Sequence, residues 1–428
     1  MNGELKAGVG LSRKWDAREA GREVAETALE KLDGEKPKFF LLFSTIHYEK
    51  YGGFQELLNG VWEVLPEGTP LIGGTVAGFM NNYGCFARGV TALTVSYPNM
   101  DVAVGVGENT KRNPSKAGND CAKMIKDKIA TSSYHRKFLL SLISATEILE
   151  LPGVGRKSVI RSKAMARTII SGFKLSQNVL QKGAGMEEFV LENVIKELPD
   201  FHLLHASTCD DKFLTNYQFF NERVLKNSIV ALGLTTDLNF DVNFAHGLKE
   251  SDVKFRITDV SPDGQIIYKI NGKPAASTLL ELIGYSEDFF DEKLFVKRFP
   301  YFPFGIKKGE YILPRSFAMI LGESIPLMAK IETGEACILL ASGEKLIEAA
   351  KELVGHFDEI TPLFGIIVSC AIRLMTLGNG VHAVRNILLD LYKDRPFLTV
   401  YSGGEGVYCP QKGFFYLQES IDMATFWR

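Results

Sequence analysis

The sequence predicts a mixed α/β fold in two domains, with β-sheets built from repeated strand–helix–strand–strand units and helices on the outer sheet faces. Two observations lead to this prediction. An apolar run, an amphipathic helical pattern and two further apolar runs follow one another near the start of the chain, and this order recurs twice. The 428 residues are 46% hydrophobic and 23% charged, which is typical of globular proteins and excludes disordered or collagen-like chains.

The first unit is preceded by a helix. Asp16 and Glu19 resemble a capping box that opens an amphipathic helix, and Gly34 is its expected end. Within the unit, apolar side chains recur on one face of a second helix, which ends at Pro66. The predicted elements are a strand at 39–45, a helix at 54–65, and strands at 69–75 and 89–95.

The other two units repeat this order. The strand that closes the second unit also matches the first unit in sequence, because Ala231-Leu232 corresponds to Ala92-Leu93. The second unit has predicted strands at 138–144, 201–207 and 227–234 and a helix at 186–198, and the third has strands at 364–370, 396–401 and 413–417 and a helix at 381–392. Crossover helices cover one face of a sheet, so we expect mixed sheets with an outer helical layer.

The main domain boundary is predicted near residue 250. Residues 1–250 hold the first two units and a basic insertion at about 151–186, and residues 251–428 hold the third unit. Just after the boundary, a strand–turn–strand pattern at 257–270 precedes a short helix near 275–283.

Charge and cysteine usage limit the classes of partner. The net charge of −2 gives no global field for nucleic acid or an anionic membrane, and no apolar stretch is long enough to span a bilayer. The N-terminus does not resemble a secretory signal, and the six cysteines include no CxxC pair, so we expect a cytoplasmic protein with reduced thiols. The histidines lack metal-ligand spacing, and neither a metal nor a cofactor is expected.

Five motifs in order resemble the FIST domain family, an N-terminal FIST domain followed by its C-terminal companion. They are LIGGTVAG at 71–78, similar to the family's iGcTsaGei turn; INGKPA at 270–275, similar to lDGkPA; FPFG at 302–305, at the place of PLG; SCAIR at 369–373, similar to sCxxR; and GGEG at 403–406, similar to GEiG. The segment that reads GGsagD in the family is HASTCD at 205–210 in this chain. Because it lacks the glycines, we expect the backbone conformation of that turn to differ. The resemblance implies a sensory module that binds a small molecule, with amino acids as the suggested ligands.

Polar and glycine residues follow predicted strands throughout the repeat. Ligands of open α/β sheets bind beyond the carboxyl ends of the strands, so we expect the site there. Glycine amides allow close approach of a ligand, Arg373 could clasp a carboxylate, and Glu405 or Asp210 could pair with an ammonium group. Arg315 is added because LPRS at 313–316 resembles an arginine segment of the family. The candidate ligand-binding residues are Gly73, Gly74, Asp210, Arg315, Cys370, Arg373 and Glu405.

Each candidate also has a purely structural interpretation. Gly73 and Gly74 are equally consistent with a simple turn, and Arg373 and Glu405 with an ion pair that links two loops. A buried Cys370 is more often an inert small side chain than a nucleophile. An enzyme that uses Cys370 as its nucleophile stays an alternative function, although no histidine occurs in a recognisable catalytic motif.

A second alternative is nucleic-acid binding through the basic insertion. LPGVGRKS at 151–158 resembles the helix-hairpin-helix signature of DNA repair glycosylases, and residues 151–186 carry seven basic side chains and no acidic one. We favour a solvated insertion, because a DNA-binding surface usually extends beyond one segment. The insertion could also contact a partner protein or cover the ligand as a lid.

The sequence as a whole indicates an intracellular sensory protein that binds a small polar metabolite, an amino acid being one candidate. A binding protein explains the motifs better than an enzyme does. No output domain is recognised in these residues, so the protein would act through an unidentified signalling protein or simply bind its ligand. Neither nucleic acid nor a membrane is an expected partner.

Overall fold

The computed structural model describes residues 4–147, 155, 157–212, 215–317 and 319–428, leaving aside the side chain of Lys174. The chain forms three α/β units around one central apolar core, with a further sheet inserted into the third unit. The predicted mixed α/β fold with two domains is confirmed.

The first unit spans residues 6–96. Its first helix begins where the capping box predicts, because the Asp16 carboxylate accepts the Glu19 amide at 2.9 Å. The elements are β1 (Lys6–Ser12), α1 (Ala17–Glu30), β2 (Phe39–Ser44), α2 (Phe54–Trp62), β3 (Leu71–Thr75), β4 (Gly78–Asn81), β5 (Gly84–Phe86) and β6 (Val90–Ser96).

The second unit spans residues 100–236 and contains the basic insertion between its first central strand and its second long helix. The elements are β7 (Met100–Glu108), α3 (Pro114–Ile129), β8 (Arg136–Ser144), β9 (Val159–Ile160), α4 (Lys163–Leu175), α5 (Glu187–Glu197), β10 (His202–Thr208), β11 (Gln218–Phe220), β12 (Arg223–Leu225) and β13 (Ser228–Thr236). Helix α4 and strand β9 belong to the insertion.

The third unit is interrupted after its first strand, β14 (Asn239–Ala245). The interruption has its own apolar core and consists of β15 (Lys249–Val260), β16 (Ile266–Ile270), β17 (Lys273–Pro274), α6 (Ala275–Ile283), α7 (Glu292–Arg298), β18 (Phe304–Lys308), β19 (Tyr311–Arg315), β20 (Ile320–Leu321), β21 (Ile325–Pro326) and β22 (Gly334–Leu340). Its strands form one sheet except for β20, which pairs with β9 of the basic insertion. The unit then resumes with α8 (Gly343–Gly355), β23 (Phe364–Cys370), α9 (Ala371–Leu377), α10 (Val381–Tyr392), β24 (Phe397–Ser402), β25 (Glu405–Cys409), β26 (Gly413–Leu417) and β27 (Ile421–Trp427).

The closing strand of the third unit is β27, so the prediction that residues 413–417 close it is wrong. Strand β27 lies antiparallel to β23, as β6 lies beside β2 and β13 beside β8. Residues 413–417 form β26 instead, the outer strand of a hairpin with β25. The apolar run at 413–417 is that of a strand, but periodicity does not tell which strand it pairs with.

The three units interlock by exchanging hairpins. The β4–β5 hairpin of the first unit extends the sheet of the third, β25–β26 of the third extends the sheet of the second, and β11–β12 of the second extends the sheet of the first. Strand β14 also pairs with β27 across the boundary predicted near residue 250. That boundary stays a prediction, and the β-sheets join the two sides of it.

Alternation along the central strands separates an inner from an outer layer. Phe39, Leu41 and Phe43 of β2 face the central core, which also holds alternate residues of β8 and β23. Phe40 and Leu42 face the opposite side and pack against α1 and α2. The helices therefore lie outside and the three sheets pack inward on one another, as a period of two requires for strands buried on both faces.

Gly73 and Gly74 lie inside β3, not in the turn after it. A Cβ on Gly73 would come within 1.8 Å of the Leu42 carbonyl oxygen, and one on Gly74 within 2.5 Å of the Thr208 side chain. Both glycines therefore allow close packing of neighbouring chain segments.

We expect Gly73→Ala to lower the free energy of unfolding by at least about 1–3 kcal/mol, because its methyl group would overlap backbone that cannot move freely. Gly334→Ala is the control, since Gly334 also lies in a strand but has open space around its Cβ position. Urea unfolding of both variants measures the difference, and equal midpoints would contradict this role for Gly73.

Candidate functional site

The paired central strands of each unit end in buried hydroxyl or thiol residues. The register pairs at these ends are Ser44 with Thr75, Ser144 with Thr208, and Cys370 with Ser402. All six side chains are buried. In the second and third units these residues continue the inward-facing rows of β8, β10, β23 and β24, so that layer changes from apolar to polar at the carboxyl ends of the strands, where the sequence places the site. In the first unit, Ser44 and Thr75 follow the rows that face the helices.

An acidic pair lies in the third-unit part of this polar layer. Glu405 and Asp422 are both fully buried. Ser402 Oγ donates to Glu405 Oε1 at 2.5 Å. Within the described chain, Glu405 Oε2 and both carboxylate oxygens of Asp422 have no partner with hydrogen-bond geometry. The Cys370 thiol and the Ser420 hydroxyl are nonetheless close enough to favour the ionised forms of Glu405 and Asp422, respectively. Buried polar atoms without partners are rare in folded proteins and costly, so they need an explanation.

Burial alters the ionisation of these acids. It raises the pKa of Glu405 well above its usual range, and the nearby charge of Asp422 adds to that rise. Burial likewise raises the pKa of Asp422 to about 8 and that of the neighbouring Glu419 to about 8. The charge of Arg373 opposes the rise in all three, so the acids and the guanidinium share one electrostatic environment.

Arg373 has a different set of partners from the one expected. Its Nη1 donates to the carbonyl oxygens of His246 at 2.9 Å and Glu419 at 3.0 Å, and its Nη2 donates to that of Leu346 at 3.1 Å. The side chain is 1% exposed. Three of its five N–H donors are therefore bound to backbone, and Arg373 joins α9 to three other segments. Its Nε has no hydrogen-bond partner in the described residues.

Cys370 lies at the start of α9 and its thiol is buried. Burial raises the pKa of the thiol well above its usual range, and the charges of Glu405 and Glu419 raise it further. A nucleophilic cysteine needs the thiolate form, which this environment disfavours. The enzyme alternative therefore gains no support from Cys370.

The two remaining polar candidates, Arg315 and Asp210, have contacts other than those described for Arg373 and Cys370. Arg315, on β19, donates to the carbonyl oxygens of Lys330, Pro314 and Tyr416, and its Nη2 lies 3.8 Å from Glu188. Asp210 is buried just after β10. Its charge helps to raise the pKa of the adjacent Cys209.

A buried network on the second unit was not predicted. His205 Nε2 lies 3.0 Å from Ser207 Oγ, and His205 Nδ1 lies 3.0 Å from Ser141 Oγ. Ser207 Oγ also donates to Glu187 at 3.3 Å. Burial lowers the pKa of His205 to about 3, which makes it a weak general base despite the serine–histidine geometry.

A sequence signal for this network exists, since His205 and Ser207 alternate within an apolar strand and therefore share a face. Glu187 gave no such signal, because an acid at the start of a helix is usually exposed. Here burial raises its pKa to about 7. Asp422 was missed because β27 was not recognised as the closing strand.

The helix-hairpin-helix resemblance falls largely outside the described residues, which omit 151–154 and 156. Further along the insertion, Arg161 pairs with Glu287 at 2.6 Å and Lys163 with Glu323 at 3.6 Å. These two cations thus have partners within the chain.

Neither a metal centre nor a membrane-spanning helix occurs among the described residues. In that part of the chain no group of three or more His, Cys, Asp or Glu side chains is arranged to hold a metal ion. None of the helices described has the length and apolar character needed to cross a bilayer.

Two models of known protein families match most of the chain. The family model described as FIST N domain matches residues 38–273, and the one described as FIST C domain matches residues 275–407. An uncharacterized protein of Methanocaldococcus jannaschii, MJ1623, is 25% identical over 154 residues, which are 34% of this chain and 30% of that protein. The chain therefore matches about a third of the length of this relative.

Solved structures superpose only loosely. A cyanuric acid hydrolase from A. caulinodans has a TM-score of 0.27 at 8% identity, over 54% of this chain and 71% of that one. A second cyanuric acid hydrolase structure has a TM-score of 0.26 at 10% identity, over 57% and 72% of the two chains. Superpositions of this quality support no argument about function.

Proposed function

Because this chain belongs to the FIST family, we propose that it is a cytoplasmic sensory protein whose ligand is a small polar metabolite with an ammonium group, such as an amino acid. FIST domains are small-ligand sensory modules. The observation that carries the proposal is the acidic pair, Glu405 and Asp422, with three buried carboxylate oxygens that have no partner in the described chain.

An ammonium group is the ligand chemistry that fits these oxygens. It has up to three N–H donors, and its positive charge would lower the raised pKa values of both acids and favour their ionised forms. A neutral group would not favour the ionised forms of the two acids, and an anionic group would oppose them. The ammonium therefore lies between Glu405 and Asp422 in this proposal.

Two further polar groups bear on this proposal, the Ser144 hydroxyl and the Arg373 guanidinium. Ser144 is the last residue of β8, and its Oγ has no hydrogen-bond partner in the described residues. Arg373 contributes positive charge to the cluster, but through space rather than by direct contact. The acids replace Arg373 as the main recognition groups. The cluster is shut off from solvent, so ligand entry requires a movement of the covering chain.

Cytoplasmic location is part of the proposal and is supported by the thiols. All six cysteines are free, and Cys85 and Cys409 are partly exposed. Free, accessible thiols are usual in a reducing compartment.

We expect Glu405→Gln to weaken ligand binding by roughly 10–100-fold, because a charge-assisted hydrogen bond contributes about 1.5–3 kcal/mol. Calorimetric titration of the protein with each of the twenty amino acids identifies a binder, and the variant is then titrated with it. Glu108→Gln, on the exposed end of β7, is the matched control and should bind as the native protein does.

Two outcomes would contradict the proposal. One is binding of the same amino acid with unchanged affinity by Glu405→Gln. The other is that no amino acid and no simple amine binds to the folded protein. Turnover of the ligand would favour an enzyme, and loss of that turnover in Cys370→Ser would assign it to the thiol.

A further inference from the structure

The basic insertion presents large apolar side chains to solvent. Leu175, Val179 and Leu180 are 66%, 56% and 64% exposed, and Met165 is 40% exposed. We call these four residues the apolar patch. They lie within one stretch of α4 and the π-helical turn that follows it, Ser176–Leu180. Grouped exposed apolar residues mark an interaction site more often than single ones do.

The patch is held in place by hydrogen bonds from the second unit. Arg112 Nε donates to the carbonyl oxygen of Asn178 at 2.6 Å, and its Nη2 donates to that of Val179 at 2.9 Å. Gln181 Nε2 donates to Asn109 Oδ1 at 2.7 Å. The backbone under Val179 and Leu180 is therefore fixed, and the side chains point outward from an ordered turn rather than from a loose end.

Residues 109–112, which include Asn109 and Arg112, also interact with the residues that flank the insertion. Lys111 Nζ lies 3.6 Å from Glu147, which precedes the insertion, and its charge also acts on Glu187, which follows it. Residues 109–112 thus contact Glu147 before the insertion and residues 178–181 beside the apolar patch, and the charge of Lys111 acts through space on Glu187 after it.

The insertion that carries the apolar patch is basic. Its exposed cations Lys157, Arg167 and Lys182 are called the basic rim. Residues 151–186 carry seven basic side chains and no acidic one, while the whole chain has a net charge of −2, so the remaining residues carry a net charge of −9. The rest of the chain is therefore acidic on balance and opposite in sign to the insertion.

We propose that the insertion is a docking surface for a second copy of this chain, with the apolar patch at the centre of the contact and its basic rim against an acidic face of the other copy. Two basic rims would repel each other, so the contact joins unlike surfaces and can continue to a third copy. The proposal does not depend on the ligand site.

Sedimentation velocity of the full chain tests this at about 1 to 100 μM. We expect the average mass to rise with concentration at low salt and to fall at about 0.5 M salt, where exposed charges are screened. The triple variant Leu175→Glu, Val179→Glu and Leu180→Glu should weaken association at least roughly tenfold, because charges replace the apolar centre.

The matched control is Tyr301→Glu with Met375→Glu, which changes two exposed apolar side chains outside the insertion. It should associate as the native chain does, and circular dichroism should show both variants folded. A native chain that stays monomeric throughout, or association unchanged in the triple variant, would overturn the proposal. Binding to anionic vesicles without self-association would also overturn it and would assign the surface to a membrane.

Discussion

Replacing Arg373 by alanine should destabilise the protein by about 3–5 kcal/mol. The substitution leaves the carbonyl oxygens of His246, Glu419 and Leu346 without the donors they have now. It also removes the positive charge nearest to the buried acids. Urea unfolding followed by fluorescence measures the change, with Arg22→Ala as the control, since that arginine is about half exposed.

Arg373→Lys separates charge from geometry in the same experiment. A lysine keeps the positive charge, but a single ammonium group cannot reach carbonyls on three separate segments as the planar guanidinium does. We expect most of the loss of stability to persist in this variant. If Arg373→Ala unfolded at the native urea concentration and lost only ligand affinity, the arginine would be a ligand group, as the sequence alone suggested.

Replacing Asp422 by asparagine should stabilise the protein, and more so at higher pH. The folded-state pKa of about 8 lies above the ordinary value of 3.8, so the folded form holds its proton over this interval and the unfolded form does not. Stability from this group is therefore complete below about pH 4 and is lost as the pH rises toward 8. Asparagine does not titrate and removes that loss.

The expected gain of Asp422→Asn over the native protein is about 2–4 kcal/mol larger at pH 8 than at pH 5. Unfolding midpoints in urea at several pH values provide the measurement. Buried histidines such as His205 and His246 titrate in the opposite sense, but they are common to both proteins and cancel in the difference. A gain that is equal at both pH values would show that Asp422 is ionised throughout.

Comparing the native protein with Asp422→Asn also separates the effect on stability from the effect on ligand binding. Glu405 and Asp422 are costly to bury without a partner, and such a cost is common where a protein keeps groups for a ligand. A ligand that supplies an ammonium group should therefore raise the unfolding midpoint of the native protein more than that of Asp422→Asn.

Much of the fold was predictable because it depends on local patterns. The three repeats appear in the order of apolar runs and helical faces, and α1 begins at its capping residue as expected. The closing strand of the third unit was not predictable, since β26 and β27 are both short apolar runs and only their partners distinguish them.

The candidate residues were predictable as buried polar positions at strand ends, but their roles were not. A ligand-binding role for Arg373 stays a prediction. The structure shows its side chain bound to three carbonyl oxygens, because it is long enough to reach segments that are distant in sequence. Asp422 was absent from the prediction and has both carboxylate oxygens without partners in the described chain.

The amino-acid sequence by itself determined the repeated α/β units, the FIST motifs, the free cysteines and the basic insertion. Each of these depends only on which residues occur in a segment and on their spacing. Only the tertiary structure decided that the units exchange hairpins, that the glycines of β3 serve close packing, and that Glu405 lies near Asp422. Those outcomes depend on which distant segments meet, and the desolvation that shifts an acid's pKa exists only once they have met.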